Sequence, residues 1–264
     1  MTRQCIHPRT TSLMLATALS VPLAAPLAAQ AGSDGLGDNS TFVTLQGSDA
    51  VEQLDSGRVT SELAKAHYAS IGPDGQTLLV TSIGTGEVFA VDAATGEKTA
   101  TFDIGETAQG VKISPDGRHA LAIEPKKGIA AVIDLDAAEV IKEIPVGKAP
   151  HNARFTADGE RAYVTLQGEG AIAVIDMTSL ERVEAIPVAG MAQPHNLDLS
   201  DDEKRLWVRD FAGKVAVLDL DSGSVLDTFE VGPSHGGIDV IPGGKYVATT
   251  AIGGTTVTVF DQDK

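Results

Sequence analysis

Short apolar runs separated by Gly, Asp and Pro make up most of this chain. In the unit that begins at His151, such runs cover 152–156, 161–166, 171–176 and 182–188. They are rich in β-branched residues, which favour strands joined by hairpins. No stretch of this region has the apolar period of a helix. The pattern therefore predicts an all-β chain with four short strands in each unit.

The units repeat with a period of about 42 residues. Turn glycines Gly75, Gly117 and Gly159 are 42 residues apart, and 201–203 is a degraded copy of the same turn. A second marker has nearly the same period, because an Asp closes an apolar run in each unit after the leading one. These residues are Asp92, Asp134, Asp176, Asp219 and Asp261. Four strands in a 42-residue tandem repeat predict a β-propeller, in which radial stacking buries both faces of each blade. A large β-sandwich is the main alternative, although it would not need a strict period.

The repeat also predicts the number of blades. Four complete units start near His67, Gln109, His151 and His195. The leading unit, 42–63, starts at the second strand, since 43–47 duplicates 164–168, and the trailing unit from Gly237 lacks the fourth strand. We expect about six four-stranded blades, the terminal two with three strands, and 22 strands in all. The alternatives are an incompletely closed ring and a ring completed by a second chain.

The first residues have the organisation of a secretory signal peptide. Residues 1–31 contain no acid, carry Arg3 and Arg9, and continue through the apolar run 13–21 to Ala29-Gln30-Ala31, which fits an A-x-A cleavage site. A membrane anchor is disfavoured, because prolines interrupt the run before the roughly 20 apolar residues that a span needs.

We expect cleavage after Ala31, a flexible lead-in over 32–40 and a propeller domain over 41–264. No later apolar run reaches membrane-spanning length, so the mature protein is predicted to be soluble and periplasmic or secreted.

Composition excludes several classes of function. The chain has 36 acidic and 20 basic side chains, a net charge of −16. It falls to −18 once the two signal-peptide arginines leave. This excess argues against nucleic acids and anionic lipid as partners. Cys5, the single Cys, lies in the signal segment, so a disulfide and a Cys nucleophile are excluded. No P-loop, G-x-S-x-G or H-E-x-x-H motif is present.

The units resemble the YVTN-type propeller repeats of bacterial extracytoplasmic proteins over roughly 42–264. The matching segments are Ala162-Tyr163-Val164-Thr165, 171–176 and 186–190, with 131–134 and 144–147 in the neighbouring unit. Proteins of this group include binding proteins, haem- and copper-bearing reductase domains, lactonases and a periplasmic zinc chaperone. The resemblance implies a fold and leaves the function open, because one fold hosts many functions. This chain is also shorter than the seven- and eight-blade relatives, which weakens the transfer of a large central cofactor such as haem.

One repeat position carries an unusual set of side chains. At eight or nine residues before each turn, successive units have His67, Gln109, His151, His195 and His235. This position joins the outer strand of one blade to the inner strand of the next, where the loops gather at one end of the channel. We call these five residues the histidine mouth. His119 lies within a strand instead, and we assign it no role.

The histidine mouth has two interpretations. Three or four converging imidazoles can hold zinc or copper, and the nearby Asp198 and Asp239 would then be outer-shell partners or ligands. Alternatively, each ring bonds a neighbouring backbone carbonyl and stabilises the turn, as Pro-His-Asn at 150–152 and 194–196 suggests.

We therefore predict a binding or scaffold protein whose mouth binds a small ligand or a protein partner. A zinc or copper carrier and a lactonase- or lyase-like enzyme with a His acid or base are the alternatives. No cofactor is certain at this point, and the sequence does not define the oligomeric state.

Overall fold

A computed structural model describes residues 40–232, 234–241 and 243–262. The predicted signal peptide and nearly all of the lead-in lie outside these residues, so those two expectations stay predictions. The described residues form β-strands and a single turn of 3-10 helix, Gln46–Ser48. No helix in these ranges is long and apolar enough to cross a membrane.

Within the described ranges the chain forms 22 strands in six sheets, as the repeat predicted. The strands of blades 1 to 3 are β1 (Phe42–Leu45), β2 (Ala50–Gln53), β3 (Arg58–Thr60), β4 (Ala66–Ile71), β5 (Thr77–Ser82), β6 (Glu87–Asp92), β7 (Lys98–Asp103), β8 (Val111–Ile113), β9 (His119–Glu124), β10 (Ile129–Asp134) and β11 (Glu139–Pro145). Those of blades 4 to 6 are β12 (Pro150–Phe155), β13 (Arg161–Leu166), β14 (Ala171–Asp176), β15 (Glu181–Pro187), β16 (Pro194–Leu199), β17 (Arg205–Asp210), β18 (Lys214–Asp219), β19 (Val225–Glu230), β20 (Ile238–Val240), β21 (Tyr246–Thr250) and β22 (Val257–Asp261).

Each sheet is antiparallel, and its strands pair in chain order. The four middle sheets have four strands and the first and last have three, which confirms the six-blade β-propeller and its short terminal blades. Inner strands of consecutive blades contact one another in the series β4, β8, β12, β16 and β20, and β1, the second-strand equivalent of blade 1, contacts β4. The channel is therefore lined by the first strand of each blade from the second onward.

The hydrophobic core is divided among the contacts between blades. The described residues form five buried clusters, and each joins two consecutive blades. In one of them, Leu121, Val132 and Ile144 of blade 3 pack against Phe155 and Val164 of blade 4. The alternation of apolar positions along each strand therefore covers both faces of a middle blade, as radial stacking requires.

The Asp residues that mark the repeat bond to the backbone of the turns that follow them. In the four middle blades, the Asp that ends the third strand accepts hydrogen bonds from backbone N–H groups of the following turn, for example Asp92 from Thr95 N at 2.7 Å and Asp176 from Ser179 N at 2.8 Å. The turn glycines adopt φ near +70°, and Glu203 takes the same left-handed conformation at +54° in the degraded copy. These side-chain bonds are structural, because they satisfy the turn backbone.

A second set of glycines allows the hairpin before each third strand to approach the outer strand. Gly128 accepts a hydrogen bond from Val146 N at 2.9 Å, with a φ of +73°. A Cβ on Gly128 would lie 2.5 Å from the carbonyl oxygen of Gly147, which is backbone and has little room to move. Glycine is required here by both conformation and space.

Replacing Gly128 by Ala should destabilise the protein more than replacing Gly159. Both residues have φ near +70°, so each Ala costs about 1–2 kcal/mol for the left-handed conformation. A Cβ on Gly159 has its nearest neighbour at 3.6 Å, whereas Gly128→Ala adds an overpacking penalty of about 1–3 kcal/mol. Chemical denaturation of the two variants measures the difference. Equal losses of unfolding free energy would contradict the close approach.

Candidate functional site

Backbone irregularities mark the histidine mouth. The pairing of the inner strand with the second strand shifts register between Ala66 and Ala69, between Pro150 and Ala153, and between Pro194 and Asn196. Each shift encloses a histidine of the mouth. A β-bulge of this kind bends the strand and redirects its side chains, which the regular alternation of a strand would not do.

The structure brings the histidines of four blades together. The ring centroids of His151 and His195 are 3.7 Å apart, and those of His195 and His235 are 4.7 Å apart in an edge-to-face arrangement. His235 lies close enough to His67 to lower the pKa of His67, which also hydrogen-bonds to the side chain of Gln109. All five residues that the sequence singled out therefore belong to one site.

The hydrogen bonds of the rings define their protonation. His151 Nδ1 lies 3.2 Å from the carbonyl oxygen of His195 and donates to it, so its Nε2 carries a lone pair. His195 Nδ1 lies 2.8 Å from Gln167 Nε2 and accepts its N–H, which assigns the proton of this ring to Nε2. The ring of His151 thus makes the bond to a neighbouring carbonyl that the structural interpretation of the mouth expected.

Burial keeps the mouth uncharged. Desolvation lowers the pKa of His195 to about 3, with further lowering by the adjacent His235 and His67. Burial and then His195 hold the pKa of His151 well below its usual value. The pKa values of His67 and His235 are lowered too, mainly by desolvation. At neutral pH the mouth therefore presents imidazoles, the form in which His ligates a metal.

Three of the five mouth residues accept a hydrogen bond from a threonine hydroxyl of the preceding blade. Thr44 Oγ1 donates to the carbonyl oxygen of His67 at 2.9 Å, and Thr81 Oγ1 to that of Gln109 at 2.6 Å. Thr165 Oγ1 donates to that of His195 at 2.9 Å. The second strand thus holds the next blade's junction in place.

Blade 5 has an arginine at this threonine position. Arg209 Nη2 donates to the carbonyl oxygen of Ser234 at 2.9 Å, next to His235. The side chain is fully buried, and among the residues that the structure describes its Nε and Nη1 have no hydrogen-bond partner.

Polar side chains line the channel below the mouth. Asn152 Nδ2 donates to Asn196 Oδ1 at 2.9 Å and lies 3.2 Å from the hydroxyl of Tyr68, while Asn196 Nδ2 donates to the carbonyl oxygen of Gly236 at 2.8 Å. This belt connects blades 2, 4, 5 and 6 across the channel. It separates the histidines from a charged layer beneath them.

The charged layer contains both aspartates that were expected near a metal. Arg154 Nε lies 2.7 Å from Asp198 Oδ1, which also accepts from Leu199 N, and Asp198 Oδ2 accepts from Val240 N at 2.7 Å. Both oxygens of Asp198 are therefore occupied by donors other than the histidine rings. Asp239 interacts electrostatically with Arg154 and Lys112 in the same layer. The described contacts of the two aspartates point to a role in the channel rather than beside the imidazoles.

The rings are not arranged around a common metal position. Among the described residues, no group of three or more His, Cys, Asp or Glu side chains is placed to hold a metal ion. The imidazoles pack against each other instead, at the centroid distances given above. The predicted zinc or copper ligand set, His67, His151, His195 and His235, thus stays a prediction that only a measurement with metal can test.

The sequence analysis did not single out three residues of this site. Gln167 and Phe211 both contact His195, and Phe211 also stacks on His235 with centroids 4.7 Å apart. They occupy one repeat position, eight residues after Gly159 and after Glu203 respectively. Arg209 occupies the threonine position. Aligning the second strands of the blades and the residues that follow them, position by position, would have revealed all three residues.

Comparisons with known proteins identify related domains. The family model of the Cytochrome D1 heme domain matches residues 74–198, less than half of the chain. A solved chain of Kuenenia stuttgartiensis hydrazine synthase is 27% identical, with a TM-score of 0.65 over 70% of this chain. This chain spans 55% of that chain. A search of curated proteins finds no match. These findings support a propeller family, and they do not confirm the YVTN-type resemblance.

The low pKa of His195 predicts a pH-dependent stability. An unfolded His takes up a proton near pH 6.5, whereas folded His195 stays neutral down to about pH 3. Protons therefore favour the unfolded state as the pH falls through this window. From pH 7 to pH 5 this group alone should cost about 2 kcal/mol of unfolding free energy.

The variant His195→Gln, which carries the mouth residue of blade 3, should lose less stability over the same range. Denaturant titrations of wild type and variant at each pH measure the two slopes. The interval lies above the titration of ordinary carboxylates, so the comparison reports on the histidine. Parallel slopes would contradict a buried neutral His195.

Proposed function

We propose that this chain is an extracytoplasmic β-propeller that binds a haem-type iron tetrapyrrole at the histidine mouth. The observation that carries the proposal is the hydrogen bond of His151. Its Nδ1 donates to a backbone carbonyl, and its Nε2 lone pair is free of a proton. Ligating histidines commonly have this arrangement, because the bond at Nδ1 fixes the tautomer and orients the ring.

The donor set fits the iron of such a group. Haem iron is commonly held by a neutral imidazole, and burial keeps His151 neutral across the physiological pH range. His195, His67 and His235 are further imidazoles at the same mouth. His151 would be the ligand, while Gln167 holds the ring of His195 in its orientation.

The surface beside these rings fits a planar apolar group. Phe211 is 40% exposed and stacks on His235, so an aromatic face is available at the mouth. The imidazoles of His151, His195 and His235 contact one another, so the ligand would bind on the solvent-facing side of the mouth. Bound there, an iron tetrapyrrole supplies a centre for electron transfer or for a small iron ligand.

The comparisons support this class of ligand. The matched haem-domain region, 74–198, includes His151 and His195, two of the five residues of the mouth. The extracytoplasmic setting rests on the predicted signal peptide of residues 1–31. The ligand class is an inference from likeness, and the binding measurement tests it for this chain.

A haemin titration tests the proposal. Wild-type protein should shift the Soret band with saturation at one equivalent, and His151→Gln should lose the spectrum of an imidazole-ligated iron. Gln is chosen because the mouth of blade 3 already carries it at Gln109. His119→Gln is the matched control, since His119 lies in β9 and outside the mouth. An unchanged Soret band in wild type, or the same band in His151→Gln, would refute the proposal.

A zinc or copper carrier is the second candidate. The same Nε2 lone pair and the three neighbouring neutral imidazoles favour it. In this case added zinc should raise the thermal midpoint of wild type, and the double variant His151→Ala, His195→Ala should not respond. Metal analysis of the purified protein provides a second readout. No bound metal together with an unchanged midpoint would reject this candidate. The described ring nitrogens bond to backbone, amide and hydroxyl groups, so no observed carboxylate partner favours the enzyme alternative.

A further inference from the structure

We infer that β22 is a docking edge for the same edge of a second copy of this chain. β22 (Val257–Asp261) is the third and outermost strand of blade 6, and among the described residues no strand pairs with its outer side. The outer side of a propeller blade lies at the circumference of the ring, where a partner can reach it. Backbone N–H and C=O groups along such an edge are available to an added strand. Pairing at this edge does not depend on a ligand at the histidine mouth.

Two valines of β22 are exposed at repeat positions that the middle blades bury. Val257 and Val259 are 49% and 50% exposed, whereas their counterparts in the four middle blades are at most 5% exposed. The counterparts, identified from the pairing of second with third strands, are Val88, Ala90, Ala130, Val132, Ile172, Val174, Val215 and Val217. Blade 6 therefore carries two apolar side chains that the rest of the described chain leaves half uncovered.

β22 also lacks the charges that protect the other outer edges. The outermost strand of every four-stranded blade carries exposed charged side chains, for example Lys98 on β7 and Arg182 on β15. Such charges oppose pairing with another sheet. The only charged residue of β22 is Asp261, at its end. Two copies of a chain with a net charge of −16 therefore meet less repulsion at this edge than at an edge that carries several charges.

A two-fold axis through Thr258 makes the edge complementary to itself. In antiparallel pairing about this axis, Val257 lies opposite Val259 of the second copy, and Val259 opposite its Val257. Residues directly opposite share a face of the sheet, so the four valines form one apolar cluster. Asp261 lies opposite Thr255 of the second copy, so no like charges face each other. The second copy thus supplies the matching strand from its own sequence, and the contact is isologous, as a closed dimer requires.

Sedimentation velocity of the purified protein across the micromolar range tests this pairing. A contact of one short strand belongs to the weak class, so wild type should form a dimer that dissociates on dilution. Val257→Lys and Val259→Glu should each weaken the dimer at least about tenfold, because each change enters the interface twice and removes apolar contacts. Both residues are half exposed, so the two variants should keep the fold, which circular dichroism verifies. Val183→Lys is the matched control, since Val183 is 59% exposed on the outer strand β15, and it should dimerise as wild type does.

The double variant Val257→Lys, Val259→Glu tests the register. About an axis at Thr258 the two changes place opposite charges across the interface twice, so the double variant should dimerise at least about tenfold more tightly than either single variant. A wild type that stays monomeric would leave the edge to a strand of a different protein and would overturn the inference. Single variants that dimerise as wild type does, or a double variant no tighter than the single ones, would overturn it too. None of these measurements involves haemin, so their outcome is separate from that of the proposed function.

Discussion

The contact between consecutive blades is the constraint on which the rest of the structure depends. A single sheet of three or four short strands cannot bury its two faces, and the apolar side chains here form five clusters that each need two blades. Stacking therefore fixes the position of every inner strand relative to its neighbour. Equivalent repeat positions then meet at the channel, which is why residues 84 positions apart, such as His67 and His151, belong to one site.

The same contacts explain how His195 can connect two blades through its backbone and also place a neutral imidazole in the mouth. The backbone of His195 accepts bonds from Thr165 and His151, which hold blades 4 and 5 together. Its ring lies between two other imidazoles and is desolvated by them. Stacking thus creates the dry environment that keeps the rings neutral. A neutral imidazole with a fixed tautomer is a ligand, whereas a protonated one is not.

The sequence predicted what repeats and missed what departs from the repeat. Strand number, blade order and the convergence of the mouth follow from a 42-residue period and from hydrophobic alternation. The partners of individual side chains do not, because they depend on where a bulge redirects a residue and on which blade it faces. Asp198 illustrates this difference: three residues after His195 in sequence, it pairs with Arg154 of the preceding blade. Its role could be found only once both blades were in place.

Departures from the repeat also indicate where function lies. Tandem blades give each position a default residue that satisfies the fold at low cost, and Thr at the junction tie is one such default. A buried arginine at that position makes the tie and leaves two donors without a hydrogen-bond partner among the described residues, which costs stability. Local rules are broken in this way mainly at functional sites. Arg209 lies beside the histidines that the repeat brings together. The costly departure from the repeat and the repeated histidine position therefore lie at the same end of the channel.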